Sequence, residues 1–249
     1  MKAKWLYQSL RRAGRLTEEN IPLSYIALFL PDAPVVVDAG AHNGSETIPM
    51  SLLWPQGTIH AFEPVPAVFR QLQDNTKHLS NVHTYQTALA AENADFTMHV
   101  SSGGTDASSS LLAPKEHLIV NPHIVFENQI TVTALTLDTW AGRNHCSQVD
   151  FLWLDMQGGE LAALQAAPRV LATVQAIHLE VSTTELYENN PLYPEVRSWL
   201  ETQGFVLAVD EIAHASGGNA FFVRSGRRLS VWRLVPLVGR KLLRRMRRP

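Results

Sequence analysis

Short apolar runs that close on an acid recur along this chain: VVVD at 35–38, TIHAFE at 58–63 and VDFLWLD at 149–155. The first and last are apolar at nearly every position, the pattern of a strand covered on both faces. Helix-compatible segments follow. SETIPMSLLW (45–54) is one, with Pro49 expected to interrupt it, and 65–79 is another, with Val68, Leu72 and Leu79 at helical spacing. Residues 81–89 read as one strand. Extra strands are expected around 94–100 and 130–136, where Phe96, Met98 and Val100, and then Ile130 and Val132, alternate. ELAALQAAPRVL is a helix that Pro168 breaks or restarts. VQAIHLEVS (174–182) is a strand, PEVRSWLETQG (194–204) a helix stopped by Gly204, and FVLAVDE and NAFFVR two closing strands. The polar, glycine-rich SSGGTDASSS (101–110) is expected to be a mobile loop. Alternation of this kind predicts an α/β fold, a parallel sheet with helices on both faces.

Composition narrows the setting. With 249 residues, 45% of them hydrophobic, the chain can bury a substantial core. The single cysteine, Cys146, excludes an internal disulfide and fits a reducing compartment. The apolar run 21–30 is too short to cross a bilayer and follows TEEN rather than a basic segment, so the expected location is cytoplasmic. The net charge of -2 conceals an asymmetry. Residues 1–15 carry five Lys/Arg and residues 224–249 carry ten, neither with an acid, while all 23 acids lie between. An acidic body with basic ends does not read as a nucleic-acid binder. It divides the chain into a basic helical N-terminal extension (1–32), a central domain (33–224) and a basic amphipathic tail (225–249).

The central chemistry lies in VVVDAGAHNGSET. In a doubly wound sheet, ligands bind beyond the carboxyl ends of the strands. Asp38 sits at such an end. Gly40 allows a tight turn and close backbone approach, Gly44 lets the next helix start beside the ligand, and Asn43 tolerates unusual backbone angles. The spacing is not the G-x-G-x-x-G of a dinucleotide site, and an acid in the loop would repel a pyrophosphate. It suits a ligand with a cationic amino group and no phosphates, such as S-adenosylmethionine. Glu63 ends the next strand, where an acid can accept both ribose hydroxyls.

With these residues in place, VVVDAGAHNGSET, HAFEPVP, TALAAEN, SSSLL, VTALTLDTW, VDFLWLDMQGGELAAL, IHLEVS and NAFFVR together resemble the FkbM-type S-adenosylmethionine-dependent methyltransferases over about residues 33–224. The resemblance implies a Rossmann-like seven-stranded sheet with the last strand antiparallel, and methylation of a hydroxyl group, often on a sugar. It implies that Asp38, Gly40, Ala41, Asn43 and Gly44 form the methionine side of the cofactor site. Glu63 would hold the ribose, with Pro64, Val65 and Ala88 near the adenine. Many members carry an acid where this chain has Gln157.

Methyl transfer to a hydroxyl calls for a base at the carboxyl edge. Asp155 and Glu180 qualify by position, and His42, inside the cofactor loop, by its chemistry near neutral pH. His178 shares the face of Glu180. Ser109, Ser110, Gln157 and Glu160 are candidate substrate contacts, and the segment with His117 and His123 a candidate lid. Asp155, Gln157 and Glu180 offer oxygen donors of the kind Mg²⁺ takes. The expected partner is a sugar or glycan acceptor. The basic ends suit an anionic membrane surface, at the inner face of a membrane, or glycan-assembly proteins. Two other readings stay open: a nicotinamide-dependent oxidoreductase, and a non-catalytic scaffold that retains cofactor.

Overall fold

The computed structural model describes residues 2–12, 21–214 and 216–226. In chain order, the first elements are α1 (Lys2–Arg12), α2 (Leu23–Ile26), β1 (Val35–Ala39), α3 (Thr47–Leu53), β2 (Thr58–Phe62), α4 (Pro66–Thr76), β3 (Val82–Tyr85), β4 (Ala88–Leu89) and β5 (Ala94–Gly103). There follow α5 (His117–Val120), β6 (Ile124–Leu135), α6 (Leu137–Arg143), β7 (Phe151–Leu154), α7 (Glu160–Gln165), α8 (Pro168–Leu171), β8 (Ala176–Ser182), α9 (Tyr193–Thr202), β9 (Phe205–His214) and β10 (Gly217–Arg224).

Seven strands form the main sheet in the order β3-β2-β1-β7-β8-β10-β9. β3, β2, β1, β7 and β8 run parallel, and β10 is antiparallel to both of its neighbours. The strand order reverses at β1 and β7, so the carboxyl ends of these two strands define the switch point where a ligand cleft is expected. Residues of alternating parity face opposite helix layers. Val37, Leu152 and Ile177 pack under α6 to α9, whereas Val36, Phe151 and Ala176 pack with α1, α2 and α3. Both faces are covered, which is why these strands are apolar throughout.

A second sheet, β4-β6-β5, is built on the long β5–β6 hairpin. Met98, Val132 and Ala134 pack there with Val65, Val68 and Ala88. Three expectations change. Residues 81–89 are two strands, because β3 ends at Tyr85 in the main sheet and Ala88–Leu89 pair with Ala134–Leu135 of the second. Pro49 does not interrupt α3; it sits in the first helical turn, where no intrahelical partner for its nitrogen is needed. The 101–110 segment is not a free loop. Residues 101–103 end β5, Ser110 bridges back to His99, and Ser101, Ser108 and Ser110 are buried.

The basic N-terminal helix lies against the body. Leu6, Tyr7 and Leu10 are buried, and Lys4 and Arg11 pair with Asp210 (3.1 Å) and Glu211 (3.0 Å) of β9. The amphipathic tail read from the sequence falls, from residue 227 onward, outside the described residues. Among the described residues no helix is long and apolar enough to cross a membrane.

Candidate functional site

The chain leaves β1 through a turn that only glycine fits. Gly40 has φ +80°, and a Cβ there would stand 1.8 Å from the Asp155 carbonyl oxygen. The amides of Gly40 and Ala41 donate to the Phe62 carbonyl at 3.1 and 2.9 Å, laying the loop across the end of β2. His42 follows at φ +49° and Gly44 at +92°. Asp38 is wholly buried beneath this loop. Its Oδ2 accepts from the Thr47 hydroxyl at 2.5 Å, and its Oδ1 has no partner among the described residues. Burial pushes its carboxyl up to about 7, with the Thr47 bond opposing and Glu46, Asp155 and Glu63 adding repulsion. Asp38 therefore fixes the first turn of α3 to the end of β1 and does not line the cleft. Asn43 turns aside as well: its Oδ1 accepts from Ser45 N at 3.2 Å, and Asn75 holds its carbonyl at 2.8 Å.

The cleft opens between this loop, the end of β2, the second sheet and the turn after β7. Its empty space, open solvent at the mouth included, is about 1010 Å³. Gly40, Ala41, His42, Glu63, Pro64 and Ala88 line it, as do Asp155, Gln157 and Ser109. Glu63 ties two segments together: Oε1 accepts from Val65 N at 2.8 Å and Oε2 from His42 N at 3.1 Å. Burial raises its carboxyl to about 7 against these stabilising amides. Ala88, Leu89, Met98 and Leu111 give one wall an apolar surface fit for a flat ring.

Opposite lies an acid pair. Asp155 opens onto the cleft, yet protein surrounds it closely enough to raise its proton affinity; hydrogen bonds from Gln157 and Glu180 act against that rise. Glu180 is pushed well above the usual carboxyl range by burial first and then by the Asp155 charge. Of the two, Glu180 is raised the further. The Gln157 amide nitrogen bridges both, 2.7 Å from Asp155 Oδ1 and 2.6 Å from Glu180 Oε2. Gln157 is itself held at φ +55°, its carbonyl accepting from Ser110 Oγ at 2.8 Å. The Tyr187 hydroxyl shares its proton between Gln157 Oε1 (2.9 Å) and the Ser108 carbonyl (2.8 Å).

Glu160 does not face a substrate. It is buried behind this turn, accepting from Met156 N at 2.7 Å and Gly158 N at 3.1 Å, and burial raises its carboxyl to about 7. Ser110 is likewise spent on Gln157 and Leu112, outside the cleft lining. His178 is sealed beneath Trp153, rings stacked at 3.7 Å, with neither nitrogen bonded, and burial lowers it to about 3. It stays neutral and out of reach of a substrate. His117 is buried against Phe126 and Tyr187, while Leu118, Ile119 and Val120 beside it are exposed, and none of them lines the cleft.

The donor set does not fit Mg²⁺. An amide nitrogen, a hydrogen-bond donor, occupies the gap between Asp155 and Glu180, and among the described residues no three His, Cys, Asp or Glu side chains converge. Sequence reasoning missed Asp106, whose Oδ1 lies 2.8 Å from His42 Nε2 across the cleft, and Tyr187. Both come from loops without periodicity, and no motif marks them.

A seven-stranded sheet with this order, an acid at the end of β2 and a close glycine turn after β1 define an S-adenosylmethionine-dependent methyltransferase. The family model described as the methyltransferase FkbM domain matches residues 38–207. The chain belongs to this FkbM methyltransferase family, which sets aside the nicotinamide-dependent reading. It is 30% identical to the 2-O-methyltransferase NoeI of Sinorhizobium fredii over 168 residues, 66% of this chain and 69% of the other. It is 26% identical to Methyltransferase 1 of Beauveria bassiana, over 72% of this chain and 75% of the other. The crystal structure of an FkbM methyltransferase from Methylobacillus flagellatus superposes with TM-score 0.52 at 13% identity, over 87% of this chain and 57% of that one.

Proposed function

We propose that this enzyme methylates a hydroxyl oxygen, on a sugar or a glycan, and that Asp155 takes the hydroxyl proton. The observation that carries the reading is the Asp155–Glu180 pair: one carboxyl group on the cleft wall, with a second acid behind it and Gln157 bridging the two. The similarity to a 2-O-methyltransferase supports oxygen as the acceptor atom.

The residues fit the cofactor. The Gly40–Ala41 turn has the bare backbone a close ligand needs, Glu63 suits ribose hydroxyls, and the Ala88–Met98 wall suits an adenine. S-adenosylmethionine supplies an electrophilic methyl group when bound. The rest of the work belongs to the protein. The cleft fixes the acceptor hydroxyl near Asp155, which removes its proton as the oxygen attacks. His42, oriented by Asp106, is the second group able to hold a proton there. The basic C-terminal tail would bring the enzyme to an anionic membrane surface where glycans are assembled.

The test is incubation with tritiated S-adenosylmethionine and a panel of glycans, followed by base treatment of the labelled product. A base-stable methyl ether, absent with Asp155→Asn, supports the reading. A base-labile ester, or N-linked label, contradicts it.

A further inference from the structure

Gln157 is held from several sides at once. Its backbone stands at φ +55°, a region that a side-chain-bearing residue keeps only where its surroundings hold it there. Ser110 Oγ donates to its carbonyl at 2.8 Å. Its side-chain nitrogen meets Asp155 and Glu180, and its Oε1 accepts from the Tyr187 hydroxyl at 2.9 Å. The two ends of an amide have the same shape and opposite hydrogen-bonding character. Two carboxyl groups on one side and a hydroxyl on the other select one orientation, nitrogen to the acids and oxygen to the tyrosine.

Tyr187 is fixed where it can make that selection. It is 1% exposed and lies outside the cleft lining. Its main chain bridges to Pro114, and its amide donates to Asn190 Oδ1 at 2.9 Å. Its ring packs on those of His117 and Phe126, with centroids 5.3 and 6.3 Å apart. Burial, and then the nearby Glu180, Asp155 and Glu160, push the phenol up, so it keeps its proton and stays a donor.

We infer, resting on the reading of Asp155 as the base, that Tyr187 is a positioning residue: through Gln157 it sets the geometry of the Asp155–Glu180 pair. Without its hydroxyl, Gln157 Oε1 loses its donor at a part-buried site, which is costly. The amide then turns toward another donor, and its nitrogen leaves the acids. The Gln157 bonds favour the ionised acids, so their loss makes the pair hold its proton more tightly. The other ionisable groups facing the pair are His42 from the loop after β1, Glu160 at the start of α7 and Asp38 at the end of β1.

The experiment is a cycle of four proteins: native, Tyr187→Phe, Gln157→Ala and the double variant. Each is followed by labelled methyl transfer to the glycan panel and by carbon-13 titration of the Asp155 and Glu180 carboxyl groups. Tyr187→Phe keeps the ring and should lower kcat roughly tenfold, the worth of one hydrogen bond. KM for S-adenosylmethionine should stay within about twofold, and the titration of the pair should move to higher pH. In the Gln157→Ala background the same change should alter the rate by less than about twofold and leave the titration in place. Fluorotyrosine in place of Tyr187, a stronger donor of nearly the same shape, should move the titration to lower pH, which a folding defect would not do. An unchanged rate and titration in Tyr187→Phe, or an equal loss in the absence of Gln157, overturns the inference. No transfer by the folded native protein to any glycan overturns the sugar reading alone, and the carboxyl titrations of the four proteins then decide the role of Tyr187.

Discussion

The Gln157 side-chain nitrogen lies 2.6 Å from the Glu180 carboxyl and bridges it to Asp155, so two acids that would otherwise repel are held as one unit. The consequence is a division of labour. Asp155 faces the cleft as the proton acceptor, and Glu180, raised the further of the two, stands behind it.

Asp155→Asn should therefore lower methyl transfer by at least roughly 100-fold, the usual contribution of a positioned base. Cofactor affinity should hold within about threefold. Glu180→Gln keeps a donor toward Asp155 and should cost less. Single-turnover rates beside cofactor titrations check both, and equal losses in the two variants would contradict the division.

Gly40→Ala should destabilise the fold. Its Cβ would stand 1.8 Å from the Asp155 carbonyl in a backbone region that side chains avoid. A cost of about 3 kcal/mol or more corresponds to a fall in melting temperature of roughly 6–12 °C for a domain of this size. Thermal unfolding measures it directly.

Glu160 carries a pH signature. Its carboxyl rises from 4.5 unfolded to about 7 folded, mainly through burial. The folded state thus keeps a proton that the unfolded state gives up between these values. Below pH 4.5 the group costs nothing; through pH 4.5–7 stability falls as pH rises. Glu160→Gln removes that slope, so its melting temperature relative to the native protein should climb from pH 5 to pH 7 and level off above. A difference that stays flat or falls across this window contradicts the assignment.

The parts legible in the sequence were those set by local rules. Apolar runs covered on both faces gave β1 and β7, helical spacing gave α4, and Gly40 and Glu63 stood where the switch point places a ligand. The remainder depended on contacts between distant segments. Nothing local shows that Ser110 anchors Gln157 across 47 residues, or that Asp106 reaches His42 across 64. Asp38 reads as a ligand contact from its place at a strand's carboxyl end, and Glu160 from its place at a helix start. Burial under the Gly40 turn and behind Gln157 gives them structural work instead.

Glu63 is our proposed contact to the cofactor's ribose, and calorimetric titration tests it most directly. S-adenosylmethionine and its demethylated product should both bind at micromolar concentrations. With Glu63→Ala, folded by circular dichroism, binding should weaken at least tenfold, the loss expected when hydrogen bonds to a charged group are removed. Unchanged affinity in the variant, or no binding by the folded native protein, would contradict the account.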